Sequence, residues 1–262
     1  MEQARRLHAI TDRFGALLSL SLVLLVWEAS VVLFNIPTFV LPPPTHVVAA
    51  ISALSPGQWL SHSYATLKVV LAGFVAATCV SIPLAVAISG SRVASSLIMP
   101  VLIAIKATPV VAVAPIIIIV LGTGDMPRVL ITFLIAFFPI VVSTTTGLAH
   151  TPPELIGLSR SLRATGWREL WDIRLPYAVP HVFSGLKVAS TLVVTGAVVG
   201  EFVAAERGLG YLVLFSTSNF DVAIAFVCLV LLVAFSLALF STVSALQGFL
   251  FQWSVPKDAN GT

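Results

Sequence analysis

Six long apolar segments dominate this chain, and each is close to the length that a helix needs to cross a lipid bilayer. A spanning helix takes about 20 apolar residues at a rise of about 1.5 Å each. Only 10% of the 262 residues are charged, whereas soluble domains carry about 25%. The sequence therefore predicts an all-α integral membrane protein with about six transmembrane helices. The predicted spans are residues 15–33, 65–88, 97–121, 129–148, 179–203 and 222–246.

Lysine and arginine residues are shared unevenly between the two faces that alternating spans define. One face has only Arg128 and Arg207. Because cytoplasmic loops are enriched in Lys and Arg, we expect the other face, which includes both termini, to be cytoplasmic. The expected division is a cytoplasmic N-terminus at 1–14, one transmembrane domain at 15–250 and a cytoplasmic tail at 251–262. The richer face carries Arg5, Arg6, Arg13, Arg92, Arg160, Arg163, Arg168, Arg174 and Lys257.

The fourth connection, residues 151–176, is a long polar interruption between two spans. Pro153 suits the first turn of a helix, and three leucines follow it at intervals of three and four residues, which predicts a short helix with one apolar face. We expect Gly166 to break that helix, and a second short helix to follow until Leu175 and Pro176 close it. The candidate functional residues of this loop are Leu155, Leu158, Arg160, Leu162, Arg163, Ala164, Trp167, Leu170, Trp171, Leu175 and Pro176.

The amphipathic pattern of this loop fits three roles. One is a hairpin that lies on the lipid headgroups, with its tryptophans at the interface and its arginines facing anionic lipid. Another is a cytoplasmic gate within a secondary transporter. The third is a docking element whose apolar helix face enters a groove of a soluble partner. The residue pattern favours docking without excluding the other two roles.

The loop resembles the cytoplasmic coupling motif of permease subunits of bacterial ATP-binding-cassette (ABC) importers. That motif has the form Glu-Ala-Ala, three residues, Gly, nine residues, Ile-x-Leu-Pro. When its end is aligned with Ile173, Leu175 and Pro176, its glutamate falls on Gly157 and its glycine falls on Arg163. The sequence therefore keeps the Leu-Pro end of the motif and departs from it at those two positions.

Other segments resemble the same family in the expected order and spacing. The run LPPP at 41–44 is similar to the nitrate, sulfonate and taurine branch. The runs KATP at 106–109, GAVVGEF at 196–202 and GLGYL at 208–212 are similar to members that serve riboflavin and thiamine-pyrimidine precursors. The resemblance implies the type I importer (MetI-like) permease fold with a cytoplasmic coupling loop, in the inner membrane of a bacterial cell.

The resemblance also implies an assembly. Two ABC ATPase subunits that hold ATP-Mg would dock on the loop, a second permease copy would form a homodimer, and a periplasmic or lipid-anchored solute-binding protein would deliver the solute. No cofactor is expected in this chain, and membrane lipid but no nucleic acid is expected around it. The chain has no Gly-x-x-x-x-Gly-Lys-Ser/Thr phosphate loop, the motif that cradles nucleotide phosphates, so we expect ATP hydrolysis in another subunit. The implied solute is a pyrimidine or riboflavin-type vitamin or precursor, with an aliphatic sulfonate, taurine or nitrate as the alternative.

Three polar residues within the spans are candidates for the translocation path: Lys106, Thr108 and Glu201. Charged groups within a bilayer usually face the protein interior or pair with one another, and Pro109 next to Thr108 frees backbone polar groups. A structural pairing of Glu201 with a neighbouring hydroxyl or amide is equally compatible with its position. No catalytic or metal site is predicted, because the five histidines are scattered. A stand-alone secondary transporter or channel is the alternative function.

Overall fold

A computed structural model describes residues 2–90 and 92–254, and every regular element within them is a helix. Met1 and the part of the predicted cytoplasmic tail from Val255 onward, including Lys257, lie outside the described residues. The helices are α1 (Glu2–Leu33), α2 (Pro44–Ala49), α3 (Pro56–Ser89), α4 (Arg92–Ala107), α5 (Val110–Leu121), α6 (Asp125–Ala149), α7 (Pro153–Ser161), α8 (Gly166–Glu169), α9 (Leu175–Ala204), α10 (Leu209–Ser218) and α11 (Val222–Leu250), with a π-helical turn at Leu170–Arg174 and 3-10 turns at Ala50–Ala53 and Gln252–Ser254.

The all-α membrane fold is confirmed, and the number of spans is close to the prediction. Among the described residues, α3, α6, α11 and the continuous helix Gly166–Ala204 are long and apolar enough to cross a bilayer. Helices α4 and α5 meet that criterion only together, as a bent pair. The remaining predicted span lies in α1, whose apolar part, Leu18–Leu33, is shorter than the other spans.

The predicted span over residues 97–121 is a bent pair of helices rather than one straight helix. The helix ends at Ala107 and restarts at Val110, and the two halves meet at an angle of 94°. Pro109 explains the break, because its ring lacks an N–H and clashes with the carbonyl four residues earlier. At the end of α4 the Thr108 N–H donates to the Ala104 and Ile105 carbonyls, both at 3.2 Å, and the Thr108 hydroxyl donates a second bond to the Ala104 carbonyl at 3.0 Å.

The 151–176 loop differs from its prediction at both of its expected breaks. Helix α7 already ends at Ser161, and Gly166 begins α8 rather than breaking α7. In the turn between them, the N–H groups of Arg163 and Ala164 donate hydrogen bonds to carbonyls of α7. Leu175 and Pro176 do not stop a helix either, because the chain passes from α8 through the π turn directly into α9. Pro176 follows directly after the π turn, at the start of α9.

The chain forms two compact units, the first made of residues up to Leu60 with Leu212–Val230, and the second of Ser61–Tyr211 with the residues from Leu231 onward. In the first unit, the Glu28 carboxylate accepts hydrogen bonds from the Thr45 N–H at 3.1 Å and the Thr45 hydroxyl at 2.8 Å. This carboxylate therefore satisfies a free donor at the start of α2 and finds a partner for its own charge.

The second unit is organised by the antiparallel contact of α6 and α9. Four glycines, Gly147 on α6 and Gly185, Gly196 and Gly200 on α9, lie where the two helices approach most closely. A Cβ on Gly196 would stand 2.8 Å from the Cα of Thr132, too close for any real contact. Small residues at such positions let spanning helices pack backbone against backbone.

Replacing Gly196 with alanine should destabilise the protein, because its Cβ would collide with the backbone of α6, which cannot move aside. We expect a loss of about 1–3 kcal/mol from this overpacking, measured as a lower midpoint of thermal unfolding for the purified protein in detergent. Gly248 is the matched control, because a Cβ there meets nothing within 4 Å. Gly248→Ala should raise the midpoint slightly, and an equal response of both variants would contradict the close α6–α9 contact.

Candidate functional site

The loop at 151–176 exposes a group of large apolar side chains. Leu162 and Trp167 are 74% and 68% exposed. Contiguous exposed apolar surface marks a site of contact with another protein or with lipid. Five of the predicted residues form this exposed group, which we call the loop surface: Leu155, Leu158, Leu162, Trp167 and Trp171. Of the other predicted residues, Arg160 and Arg163 are exposed, and Ala164, Leu170, Leu175 and Pro176 are half-buried.

The loop surface has two arms, α7 and the segment formed by α8 with the π turn. Local contacts hold the second arm in place. The Thr165 side chain caps α8 by accepting a hydrogen bond from the Arg168 N–H at 3.4 Å. The rings of Trp167 and Trp171 meet edge to face, with centroids 5.4 Å apart. Aromatic pairs in this geometry are favourable by about 0.5–1.5 kcal/mol beyond their burial, so the two exposed tryptophans hold each other in place.

A buried carboxylate that the sequence did not point to lies behind the loop surface. Glu169 is only 7% exposed. Its Oε1 accepts hydrogen bonds from Nε and Nη2 of Arg174 at 2.9 and 2.5 Å, and its Oε2 accepts one from Nε of Arg160 at 3.4 Å. Glu169 is not among the candidate residues that the loop pattern predicted. No sequence pattern indicated the pairing between Glu169 and Arg174, because the two residues are five apart, a spacing that does not pair on an ordinary α-helix.

Arg163 stands in the left-handed region with φ of 56°. It follows the end of α7, where its N–H donates to the Arg160 carbonyl and the Ala164 N–H donates to the Ser159 carbonyl, both at 3.0 Å. This is the Schellman ending of a helix, whose left-handed position is most often glycine. The glycine of the resembled motif falls on this residue, so the sequence departure at Arg163 leaves the turn intact at a conformational cost.

The structure brings Lys106 and Thr108 together at one cavity of about 600 Å³, formed around the bend between α4 and α5. The Lys106 amine lies 4.6 Å from the ring centroid of Phe138. The cavity is mainly apolar, and its remaining lining is Leu102, Ile105, Val110, Val113, Leu134, Ile135, Phe137, Pro139, Val142, Ser143, Val188 and Leu192. A cation against an aromatic face in an apolar hollow is suited to holding a flat ligand.

Glu201 lies elsewhere, away from this cavity lining. It is buried, and its Oε1 accepts the Thr66 hydroxyl while its Oε2 accepts the Gly210 N–H, both at 2.7 Å. The Thr66 oxygen in turn accepts the Leu209 N–H at 2.7 Å. Free N–H groups at a helix start favour a nearby carboxylate. The structure therefore shows Glu201 fixing the first turn of α10 to α3.

Comparison with known proteins agrees with these features. Residues 77–252 match the family model described as binding-protein-dependent transport system inner membrane component. The chain is 38% identical over 240 residues to the riboflavin transport system permease protein RibX of Chloroflexus aurantiacus, which covers 91% of this chain and 90% of RibX. It is 29% identical over 232 residues to the formylaminopyrimidine transport permease protein ThiX of Halalkalibacterium halodurans, covering 88% of this chain and 92% of ThiX.

A solved structure shares the fold. The chain superposes on a subunit of the inward-facing MetNI methionine ABC transporter with a TM-score of 0.63 and 18% sequence identity. The match covers 77% of this chain and 100% of that one. At this identity the likeness shows a common fold, the MetI-like arrangement of helices.

Replacing Arg163 with glycine should stabilise the protein by about 0.5–1 kcal/mol, because glycine adopts the left-handed conformation without the Cβ clash that costs other residues about 1–2 kcal/mol. The measurement is the midpoint of thermal unfolding in detergent. Ser161→Gly, two residues earlier at the end of α7, should have the opposite sign, because glycine weakens a helix. A lower midpoint for Arg163→Gly would contradict the left-handed turn.

Proposed function

This chain belongs to the family of binding-protein-dependent transport system inner membrane components, and from that membership we propose how its parts carry out transport. It is the permease subunit of an ABC transporter, an assembly that also contains ATPase subunits. The proposal assigns the loop surface to energy coupling and the cavity around Lys106 to the solute. The relationship to RibX over nine-tenths of both chains is the observation that carries it.

The loop surface docks the ATPase subunits on the cytoplasmic side of the bacterial inner membrane. Its exposed leucines and tryptophans supply the apolar area that a helix-in-groove contact needs, and Glu169 keeps both of its arms in a fixed arrangement. ATP-Mg is bound and hydrolysed in two separate ATPase subunits. Both termini of the permease lie on the same cytoplasmic side, in keeping with the distribution of Lys and Arg.

The complete importer contains two copies of this permease and an external solute-binding protein. The family description itself names dependence on a binding protein. Six spans enclose little space, so a path along the interface of two copies is more readily built than one within a single chain. The solute-binding protein, periplasmic or lipid-anchored, meets the outer face and delivers the solute to the path.

The solute is a flat heterocyclic vitamin or precursor of the riboflavin or pyrimidine class. RibX and ThiX carry names of this class and are both similar to this chain over most of its length. The cavity agrees with that assignment, because Phe137, Phe138 and the Lys106 cation offer ring faces and a charge to a planar ligand. Its volume of about 600 Å³ lies within the range of small-molecule sites, about 300–1,000 Å³.

Lys106 and Thr108 line the path directly in this proposal. Glu201 acts on the path by holding the first turn of α10 rather than by meeting the solute in the cavity. Such a role agrees with its hydrogen bonds to Thr66 and Gly210, which occupy both of its carboxylate oxygens.

Leu158→Asp should abolish co-purification of the ATPase subunits with the permease, because a charge would enter the apolar contact. An unpaired buried charge costs several kcal/mol, which corresponds to a loss of binding of more than about a hundredfold. Gly157→Asp is the control, since it adds the same charge at an exposed position on another face of the same helix, where a side chain meets nothing within 4 Å. Retained ATPase binding by Leu158→Asp would contradict docking, and uptake without any ATPase would favour a secondary transporter.

Lys106→Ala should lower uptake of radiolabelled riboflavin or a pyrimidine precursor by about tenfold at equal expression, since loss of a cation–π contact removes up to about 2 kcal/mol. Lys106→Arg should keep most of the uptake, because it keeps the cation. Lys187→Ala is the control, since Lys187 is a spanning-helix lysine that does not line the cavity. Equal uptake by Lys106→Ala and the wild type would refute a path through this cavity, and uptake of taurine alone would refute the solute class.

A further inference from the structure

The structure assigns Glu169 as a positioning residue of the importer: it holds the π turn that joins the loop surface to α9, so that movement of that surface reaches a spanning helix. This inference rests on the proposed function, since it concerns how ATPase movement is passed on. It adds a residue and a mechanical element that neither the sequence pattern nor the resembled motif contains.

The hydrogen bonds of Glu169 connect three parts of the chain. Arg160 belongs to α7, Glu169 is the last residue of α8, and Arg174 is the last residue of the π turn. Both arms of the loop surface are therefore attached to one carboxylate. Hydrogen bonds between ionised groups are shorter and stronger than neutral ones, and the contact with Arg174 at 2.5 Å is of this kind.

The ion pair and the π turn depend on each other. On an α-helix, residues five apart point about 140° away from one another, so Glu169 and Arg174 would not meet. A π turn closes each hydrogen bond over five residues instead of four, which brings residues five apart onto one side. The Leu175 N–H donates to the Leu170 carbonyl in this manner. π turns are rare and occur often at functional sites. Here the ion pair between Glu169 and Arg174 stabilises the turn that contains the extra residue.

The position of the π turn explains what the ion pair accomplishes. From Gly166 to Ala204 the chain is one continuous helical run, with the loop surface at its start and a spanning helix as its main part. A turn that relaxed to α geometry would rotate one end relative to the other by about 100°, the step of one residue. Glu169 prevents this relaxation, and so a displacement of Trp167 and Trp171 moves α9 as a unit.

Removal of the carboxylate charge has a further consequence at Arg174. The Arg174 side chain is only 23% exposed, so its guanidinium would be left partly desolvated without its partner. The π turn would then lose the hydrogen bond that favours it, and the Arg174 cation would lose the carboxylate that pairs with it. Arg160 is 69% exposed and 3.4 Å away, so its bond contributes less than that of Arg174.

The first test measures the turn itself and needs no partner subunit. Hydrogen–deuterium exchange of peptides covering Leu170–Arg174 is compared between the wild-type permease and Glu169→Gln in lipid nanodiscs. We expect exchange in the turn to rise about tenfold, as for loss of one charge-assisted hydrogen bond. Asp172→Asn is the matched control, because Asp172 is exposed on the same turn and takes part in none of the ion pairs found among the described residues. Exchange equal to that of Asp172→Asn would overturn the inference.

The second test measures coupling in the complete transporter, reconstituted with its ATPase subunits and binding protein. Glu169→Gln should keep the co-purified ATPase at the wild-type level while the solute transported per ATP hydrolysed falls about tenfold, in proportion to the change in exchange. Asp172→Asn should match the wild type. Faster exchange in Glu169→Gln with an unchanged ratio would overturn the transmission role. Loss of ATPase from Glu169→Gln would also overturn it, by showing a docking role only.

A double-mutant cycle separates the pair from general damage to the loop. If Glu169 acts through Arg174, then Arg174→Gln should lower the coupling ratio as much as Glu169→Gln, and the double variant should be no worse than either. Additive losses would show that the two residues act independently and would overturn the inference. A wild-type complex that neither binds an ATPase nor transports would instead contradict the proposed function, while the exchange result would still decide whether Glu169 holds the turn.

Discussion

Backbone hydrogen bonding in a medium without water is the constraint on which most of this structure depends. Within a bilayer every N–H and C=O must find a partner in the protein, so the chain is helical wherever it spans. At the break before Pro109 the last carbonyls of α4 still have donors: the Thr108 N–H lies 3.2 Å from the Ala104 and Ile105 carbonyls, and the Thr108 hydroxyl adds a bond to that of Ala104. The break turns what would be a plain span into two half-helices at 94° and creates the hollow around Lys106.

Three carboxylates, half-buried Glu28 and buried Glu169 and Glu201, also satisfy donors in the protein. Glu28 meets the start of α2, Glu201 meets the start of α10, and Glu169 meets two arginines beside the π turn. Each carboxylate satisfies donors that would otherwise be unpaired, and each donor offsets the cost of burying a charge. In a chain with so few charged residues, these acids are structural connections between helices rather than isolated polar groups.

Sequence patterns anticipated the broad features of the fold and of the site. Apolar length gave four of the six predicted spans as helices long enough to cross a bilayer among the described residues, and the leucine and tryptophan spacing identified the residues that form the loop surface. Patterns failed where geometry depends on a distant or unusual partner. Gly166 was expected to break a helix that ends earlier, at a left-handed Arg163, and Leu175 with Pro176 was expected to stop a helix that continues through a π turn.

The amino-acid sequence by itself determined that this is a membrane-spanning helical protein of the importer permease family, because hydropathy and motif spacing are local properties that read directly along the chain. Only the tertiary structure decided which polar groups meet. It joined Glu169 to Arg174 through a π turn, placed Lys106 and Thr108 at one cavity, and directed Glu201 to Thr66 and Gly210. Such pairings depend on how helices turn and pack, and the free energy that selects them is spread over residues far apart in the sequence.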